Sequence, residues 1–390
     1  MLREQNGRWA ITSLSQRRHR MQSQTSPTFC VLLAGGQGSR LHELTAMDCK
    51  PAVPFAGARL VDFTMANAAR SGLRQMLVAL QYRPQLLARH LRAVWGPQFP
   101  AGLALYDGMS VQPGGYRGTA DAVRAHLPDL TASGADEVLV LSADHVYQMD
   151  YRAMLHRHRE SGAKLTVAVD EIPLAQAGRF GVLTADAAGR VTAFDEKPRH
   201  PQPIADRPTH ALVSMGIYVI DRLWLSDLLR RTDMDDFGQD VLPEAVAQGV
   251  VQVHRTGADF YWRDVGTLDS YRLAQLDFLA TGTPPLLVPA SAHLPGREVR
   301  RAAGQGNVLL PGAHLGRRAR VRQTILAPGA MIPDGMVIGE DPDEDRRWFR
   351  VTPGGTVLVT QSMLARRRAE QQRPCQLPFY PLSTAQTQGS

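Results

Sequence analysis

The chain has 390 residues, 44% of them apolar, with 44 Lys and Arg, 37 Asp and Glu and 12 His. Those figures predict two or three domains with a full core, and no apolar run approaches the ~18 residues of a membrane helix. The net charge of +7 does not mark a nucleic-acid binder, because no aromatics alternate with the arginines and much of the excess sits at the two ends. Residues 1–27 carry Arg3, Arg8, Arg17, Arg18 and Arg20 against one acid, Glu4, and lack a continuous apolar segment. They read as a flexible basic arm rather than a secretory signal, and the expected location is the cytoplasm. Cys30, Cys49 and Cys375 are odd in number and widely spaced, which fits neither a disulfide framework nor a zinc site. Cys49 adjoins Lys50, and a cation lowers a thiol pKa, but no further chemistry surrounds it.

In chain order, FCVLLAGG (29–36) is a buried strand running into a glycine turn. LVDFTMANAARSGLRQMLVAL (60–80) is a helix and then a strand, and 85–94 is a second helix. TADAVRAHLPDL opens a helix with Thr119 as its expected N-cap. EVLVLSADHVY (137–147) is a strand ending in an acidic turn, and DYRAMLHRHRESG is a helix closed by Gly162. KLTVAVDEI, FGVLTAD, VTAFDEK, SMGIYVI and VVQVHRT are further strands. Strands alternating with helices over about 250 residues predict an α/β domain, residues 28–282, with a mostly parallel sheet. Its ligands belong at the carboxyl ends of strands.

The proline-rich stretch at 283–306 reads as a linker. Beyond it a period of six sets in. Ala313, Ala319, Ile325, Met331 and Val337 form one phase, and Leu309, Leu315, Val321 and Ala327 another. Such hexads predict a β-helix over 307–365, with about five hexads and under two coils. A stub that short needs a partner surface. A basic, polar tail follows at 366–390.

The glycine loop is neither a P-loop nor a dinucleotide fingerprint, since it lacks the Lys-Ser/Thr pair of the first and the third glycine of the second. Gly35, Gly36 and Gly38 could cradle phosphates, or could only turn the chain. Asp144 follows an apolar strand, where a carboxylate commonly holds Mg²⁺ against a phosphate; a turn aspartate is the plain alternative. Asp264 in YWRDVGT is a second candidate, with an ion pair to Arg263 as its rival. The two lie 120 residues apart, and the sequence does not join them. Only Lys50, Lys164 and Lys197 are lysine among the 44 basic residues. In so arginine-rich a chain, a retained lysine marks a site where a compact ammonium fits and a planar fork does not. Lys164 reads as chance survival. In FDEKP, Glu196 suits a sugar hydroxyl and Lys197 a sugar phosphate, although an extended chain would point them apart unless the strand end bends. His126, His145, His156 and His158 form no metal spacing, and His156 and His158 read as solvated.

GGQGSRL, KPAVPFAG, YRGTADAV, DHVYQMDY, RFGVL, FDEKP, SMGIYV, DFGQD and YWRDVGT occur in the order and spacing of the sugar-nucleotide pyrophosphorylases. Over roughly residues 28–365 the chain most resembles the bacterial ADP-glucose pyrophosphorylases. That resemblance implies a Rossmann-like, glycosyltransferase-A-like nucleotidyltransferase domain and a short left-handed β-helix. It implies ATP and glucose 1-phosphate as substrates, Mg²⁺ as cofactor, a cytoplasmic tetramer, and ADP-glucose made for glycogen synthesis. Gly35, Gly36, Gly38 and Gln81 would then lie at the nucleotide, and Arg40 and Lys50 at the triphosphate. Asp144 and Asp264 would hold the metal, and Tyr116, Gly181, Glu196, Lys197 and Ser214 the sugar phosphate.

The chain departs from the family it resembles at Met47 and Asp48, where those enzymes usually carry cations for effectors, and at Pro54 and Leu60. The β-helix is also shorter. These departures imply weak allosteric control. A regulatory paralogue without activity, or an enzyme using UTP or dTTP, are the rival readings.

Overall fold

The computed structural model describes residues 8–9, 28–257, 260–280 and 306–372. One mixed sheet organises the first domain. Its strands are β1 (Arg8–Trp9), β2 (Thr28–Ala34), β5 (Gln75–Leu80), β6 (Gly102–Asp107), β7 (Glu137–Ser142), β9 (Leu165–Pro173), β10 (Gly181–Ala185), β11 (Val191–Glu196), β12 (His210–Asp221) and β13 (Val251–Arg255). The path runs β1-β6-β5-β2-β7-β12-β10-β11, with β9 on β12 and β13 on β9. Short hairpin strands β3 (Pro54–Phe55) and β4 (Ala58–Arg59) and the pair β8 (His145–Tyr147) and β14 (Trp262–Asp264) stand apart. The four-strand centre β6-β5-β2-β7 is parallel, and β12 runs antiparallel to β7.

The centre reads as continuous apolar sequence because helices cover both faces. Alternate residues of β2 feed different cores. Cys30 and Leu32 join one, and Phe29 and Val31 join the other. The arm is not wholly apart from the domain, since β1 pairs with β6 through Arg8↔Tyr106 and Trp9↔Leu105.

Other expectations change locally. Gly118, not Thr119, stands at the N-cap of the helix Thr119–Arg124. The Thr119 hydroxyl is spent elsewhere: it donates to Asp236 and accepts from the Phe237 amide. His156 is exposed, but His158 is buried and shares a 2.8 Å hydrogen bond with Thr166. Cys30 and Cys49 are free and buried. Burial pushes the Cys49 thiol up to about 11, so the neighbouring lysine does not activate it. Cys375 lies outside the described residues.

The second domain is a parallel β-helix. Strands β15 (Val308–Leu309), β16 (His314–Leu315) and β17 (Arg320–Val321) form one coil. Strands β18 (Thr324–Leu326), β19 (Met331–Ile332) and β20 (Val337–Ile338) stack on them at a constant offset of 17 residues. A hairpin, β21 (Arg350–Val351) and β22 (Val357–Val359), adds a third layer to one face. Two coils therefore form, where the hexads predicted fewer. The offset is one short of three hexads, so the inward phase slips between Val321 and Leu326. Ile332 and Ile338 are buried, whereas Met331 is 53% and Val337 39% exposed.

The coil face carrying Val308, Ile325 and Leu358 packs into a core with Leu41, Phe55, Phe63, Tyr271 and Phe278. Phe55 meets Phe63, Tyr271 and Phe278 edge-on at 5.4, 5.9 and 5.2 Å. Arg272 of the helix Leu268–Ala280 donates to Thr356 and to the Gly306 carbonyl, and Thr352 donates to Asp269. The first domain is thus the covering surface that the short β-helix requires.

Candidate active site

The loop after β2 uses its three glycines differently. Gly38 has φ +70°, and a Cβ there would lie 2.6 Å from Lys50 Cβ. At Gly35 an added Cβ would lie 3.2 Å from Gln81 Cβ. Gly36 is exposed, and an added Cβ would meet nothing within 4 Å. The turn Lys50–Ala52 then buries the Lys50 stem against Gly38.

The Lys50 ammonium lies 3.0 Å from Asp144 Oδ2 and 3.8 Å from Asp264 Oδ1. Pairing of β8 with β14 sets His145 opposite Asp264, which closes the 120-residue gap between the two carboxylates. Arg263 does not pair with Asp264. It binds Asp277 at 3.1 Å. Burial alone would raise the Asp144 carboxyl. His145 and Lys50, with hydrogen bonds donated by Ser142 and Lys50, outweigh it and hold Asp144 far below the usual carboxylate range. Asp144 is therefore an anion at any working pH. A close ammonium and two hard oxygen donors suit phosphate chemistry.

Two clefts meet here. The first, about 520 Å³, is lined by Gly35, Gly36, Gln81, Tyr116, Asp144, Gly181, Glu196, Lys197 and Ser214. The second, about 600 Å³, is lined by Arg40 and Asp264 and reaches Thr352 and Pro353 of the β-helix. Arg179 and Phe180 line both. Gly38 and Lys50 line neither and stand behind the loop.

The strand end at Glu196 does bend: Lys197 has φ 49°, and its ammonium folds back onto Glu196. Gly181 makes room for Phe194 and Glu196, since a Cβ there would lie 2.5 Å from the Phe194 ring and 3.0 Å from Glu196 Oε2. Ser214 sits at the bulge of β12, where its hydroxyl accepts from the Gly216 amide at 3.2 Å.

Two predicted contacts have a different geometry from the one their side chains suggest. Gln81 spends its amide on the Tyr116 backbone, accepting from the Tyr116 amide and donating to its carbonyl. The Tyr116 hydroxyl points into the core and shares a 2.8 Å hydrogen bond with His126. Tyr116 thus faces the cleft with ring and backbone only.

Sequence reading missed Asp236. It lines the first cleft, accepts from the Gly238 and Gln239 amides, and brings an oxygen close to Gly238 beside Glu196. The motif DFGQD was visible, but only the fold turns it toward Glu196. The preceding segment is pinned by Asp121, which binds Arg124, while the Asp235 carbonyl accepts from the Ala120 and Asp121 amides.

The family model described as nucleotidyl transferase matches residues 29–281, and that of the GlmU-like C-terminal hexapeptide matches 296–359. A glucose-1-phosphate adenylyltransferase of Jannaschia sp. (strain CCS1) is 36% identical over 416 residues, covering 89% of this chain and 99% of the relative. The proteins of that name from Albidiferax ferrireducens and Paramagnetospirillum magneticum are each 37% identical, covering 88% and 86% of this chain and 97% and 94% of theirs. The chain is a nucleotidyltransferase with a left-handed hexapeptide β-helix, and it belongs to the nucleotidyl transferase family, among the glucose-1-phosphate adenylyltransferases.

Proposed function

We propose that the chain converts ATP and α-D-glucose 1-phosphate to ADP-glucose and pyrophosphate. The observation that carries this reading is the Lys50 ammonium between Asp144, which lines the first cleft together with the glycine loop and Glu196, and Asp264, which lines the Arg40 cleft. The sugar-phosphate oxygen attacks the α-phosphorus, a P–O bond forms, and the bond to the β-phosphate breaks. That oxygen is already an anion, so the step needs alignment and charge stabilisation rather than a base. Arg40 faces the triphosphate and the departing pyrophosphate from the second cleft, and the buried Lys50 adds its charge to them from behind the loop. Tyr116, Gly181, Glu196, Lys197 and Ser214 hold the sugar phosphate, and Gln81, bonded to the Tyr116 backbone, shapes the nucleotide side.

Two carboxylates converge on one ammonium, and among the described residues no group of three or more His, Cys, Asp or Glu could hold a metal alone. That donor set fits Mg²⁺, which binds through one or two carboxylates plus substrate phosphates. Asp144 and Asp264 would hold it, and when bound it supplies charge neutralisation at the phosphates. An enzyme using UTP or dTTP is the rival reading, since the Gln81 amide is spent on the Tyr116 backbone rather than held free for a base. Weak effector control, a homo-oligomer and a role in glycogen synthesis complete the reading.

The test is pyrophosphate release with glucose 1-phosphate and ATP, UTP or dTTP in turn. Turnover confined to ATP supports the reading. Preference for UTP or dTTP replaces its nucleotide, and no turnover with any of them favours a regulatory subunit.

A further inference from the structure

Four arginines line the two clefts: Arg40, Arg117, Arg179 and Arg263. Two are committed. Arg117 faces Asp121, Asp233 and Asp235 at 3.4, 3.7 and 3.0 Å, and Arg263 is held by Asp277. Arg40 and Arg179 have no carboxylate partner among the described residues. Arg40 stands on the triphosphate side. Arg179 is exposed and is one of the two residues common to both clefts.

Arg179 is exposed but adjoins a held neighbour, Phe180, and its guanidinium has no carboxylate partner among the described residues. Its guanidinium lies 5.6 Å from the centre of the Phe180 ring. That ring packs on Trp262 at 5.3 Å, and Trp262 meets His145 at 5.5 Å, next to Asp144. The Phe180 carbonyl accepts from the Lys197 amide at 3.1 Å, which ties Arg179 to the sugar-side pair. At that end the Lys197 ammonium is paired with Glu196. A dianion held there by Lys197 therefore meets Arg179 as a second cation, one with no carboxylate partner among the described residues. A guanidinium offers a planar fork that matches phosphate oxygens.

We propose that Arg179 is a substrate-binding residue that grips the phosphate of the sugar phosphate, the group that joins the two clefts during transfer. The proposal rests on the reading of glucose 1-phosphate as substrate. It predicts discrimination between the two substrates, because Arg40 and Lys50 serve the nucleotide.

The experiment is calorimetric titration of glucose 1-phosphate, and separately of ATP with Mg²⁺, into wild type, Arg179→Ala and Arg179→Lys, together with KM for each substrate. Arg179→Ala should weaken glucose 1-phosphate about 10- to 100-fold, the worth of one charge-assisted phosphate contact. Arg179→Lys should recover part of that, and ATP affinity and the melting temperature should stay near wild type. Equal glucose 1-phosphate affinity in wild type and Arg179→Ala overturns this role alone, as does a loss confined to ATP. A wild type that binds ATP but no glucose 1-phosphate overturns the substrate reading and this inference with it.

Discussion

Replacing Gly36 by alanine separates a ligand cradle from a simple turn. The fold gives no reason for glycine there. The residue is exposed, its φ is not positive, and a Cβ would have nothing within 4 Å. Removing chain freedom at a compatible site stabilises by about 0.4–1 kcal/mol, so the melting temperature should hold or rise by about 1–3 °C. A triphosphate lying on the loop amides would feel the methyl group directly. Loss of one amide–phosphate hydrogen bond, about 1.5–3 kcal/mol, raises KM for ATP about 10- to 100-fold. The assay is initial-rate pyrophosphate release at varied ATP, with thermal unfolding of the same sample. An unchanged KM with an unchanged or raised melting temperature would refute the cradle and leave the loop as a turn.

Three other outcomes follow from the geometry. Lys50→Arg should lose about 100-fold or more in kcat while staying folded, because the buried ammonium sits 3.0 Å from Asp144 and 3.8 Å from Asp264, where a compact charge fits and a wider planar fork does not; activity within a few-fold of wild type would contradict this. Asp121 bears on acid stability. Burial raises its carboxyl, but the Arg117 amide, Arg124, Gln112 and the Arg117 side chain bring it to about 2, against 3.8 unshifted. A folded value below the unfolded one gives stability that is complete above the unfolded pKa and is lost as pH falls through the folded one. The penalty of Asp121→Asn in urea unfolding should therefore shrink by about 2 kcal/mol between pH 6 and pH 2, and a pH-independent penalty would sink the argument. Fructose 1,6-bisphosphate should leave the rate nearly unchanged, since Met47 is 77% exposed and Asp48 follows it; many-fold stimulation in the same rate assay would show an effector site built from other cations.

Much of this was legible because local pattern and tertiary need agree. β2, β5 and β7 are apolar runs because they are buried on both faces, and each ends where a loop meets the clefts. What the sequence hid was long-range. Only the pairing of β8 with β14 joins Asp144 to Asp264. Helical spacing could not show that His158 faces Thr166, because that partner lies on β9. The β-helix phase was misread because a single five-residue step, Val321 to Leu326, moves every later inward position by one. Tyr116 was visible as a motif residue, but the direction of its hydroxyl depends on His126 ten positions later.

The central claim is that the Lys50–Asp144–Asp264 cluster performs nucleotidyl transfer. It is tested most directly by pyrophosphate release from ATP and glucose 1-phosphate in Asp144→Asn, beside its melting temperature. The account predicts a fall of about 1,000-fold or more, the scale of losing preorganised charge at a reacting centre, with little change in melting. Turnover within tenfold of wild type would contradict it and move the chemistry elsewhere in the clefts.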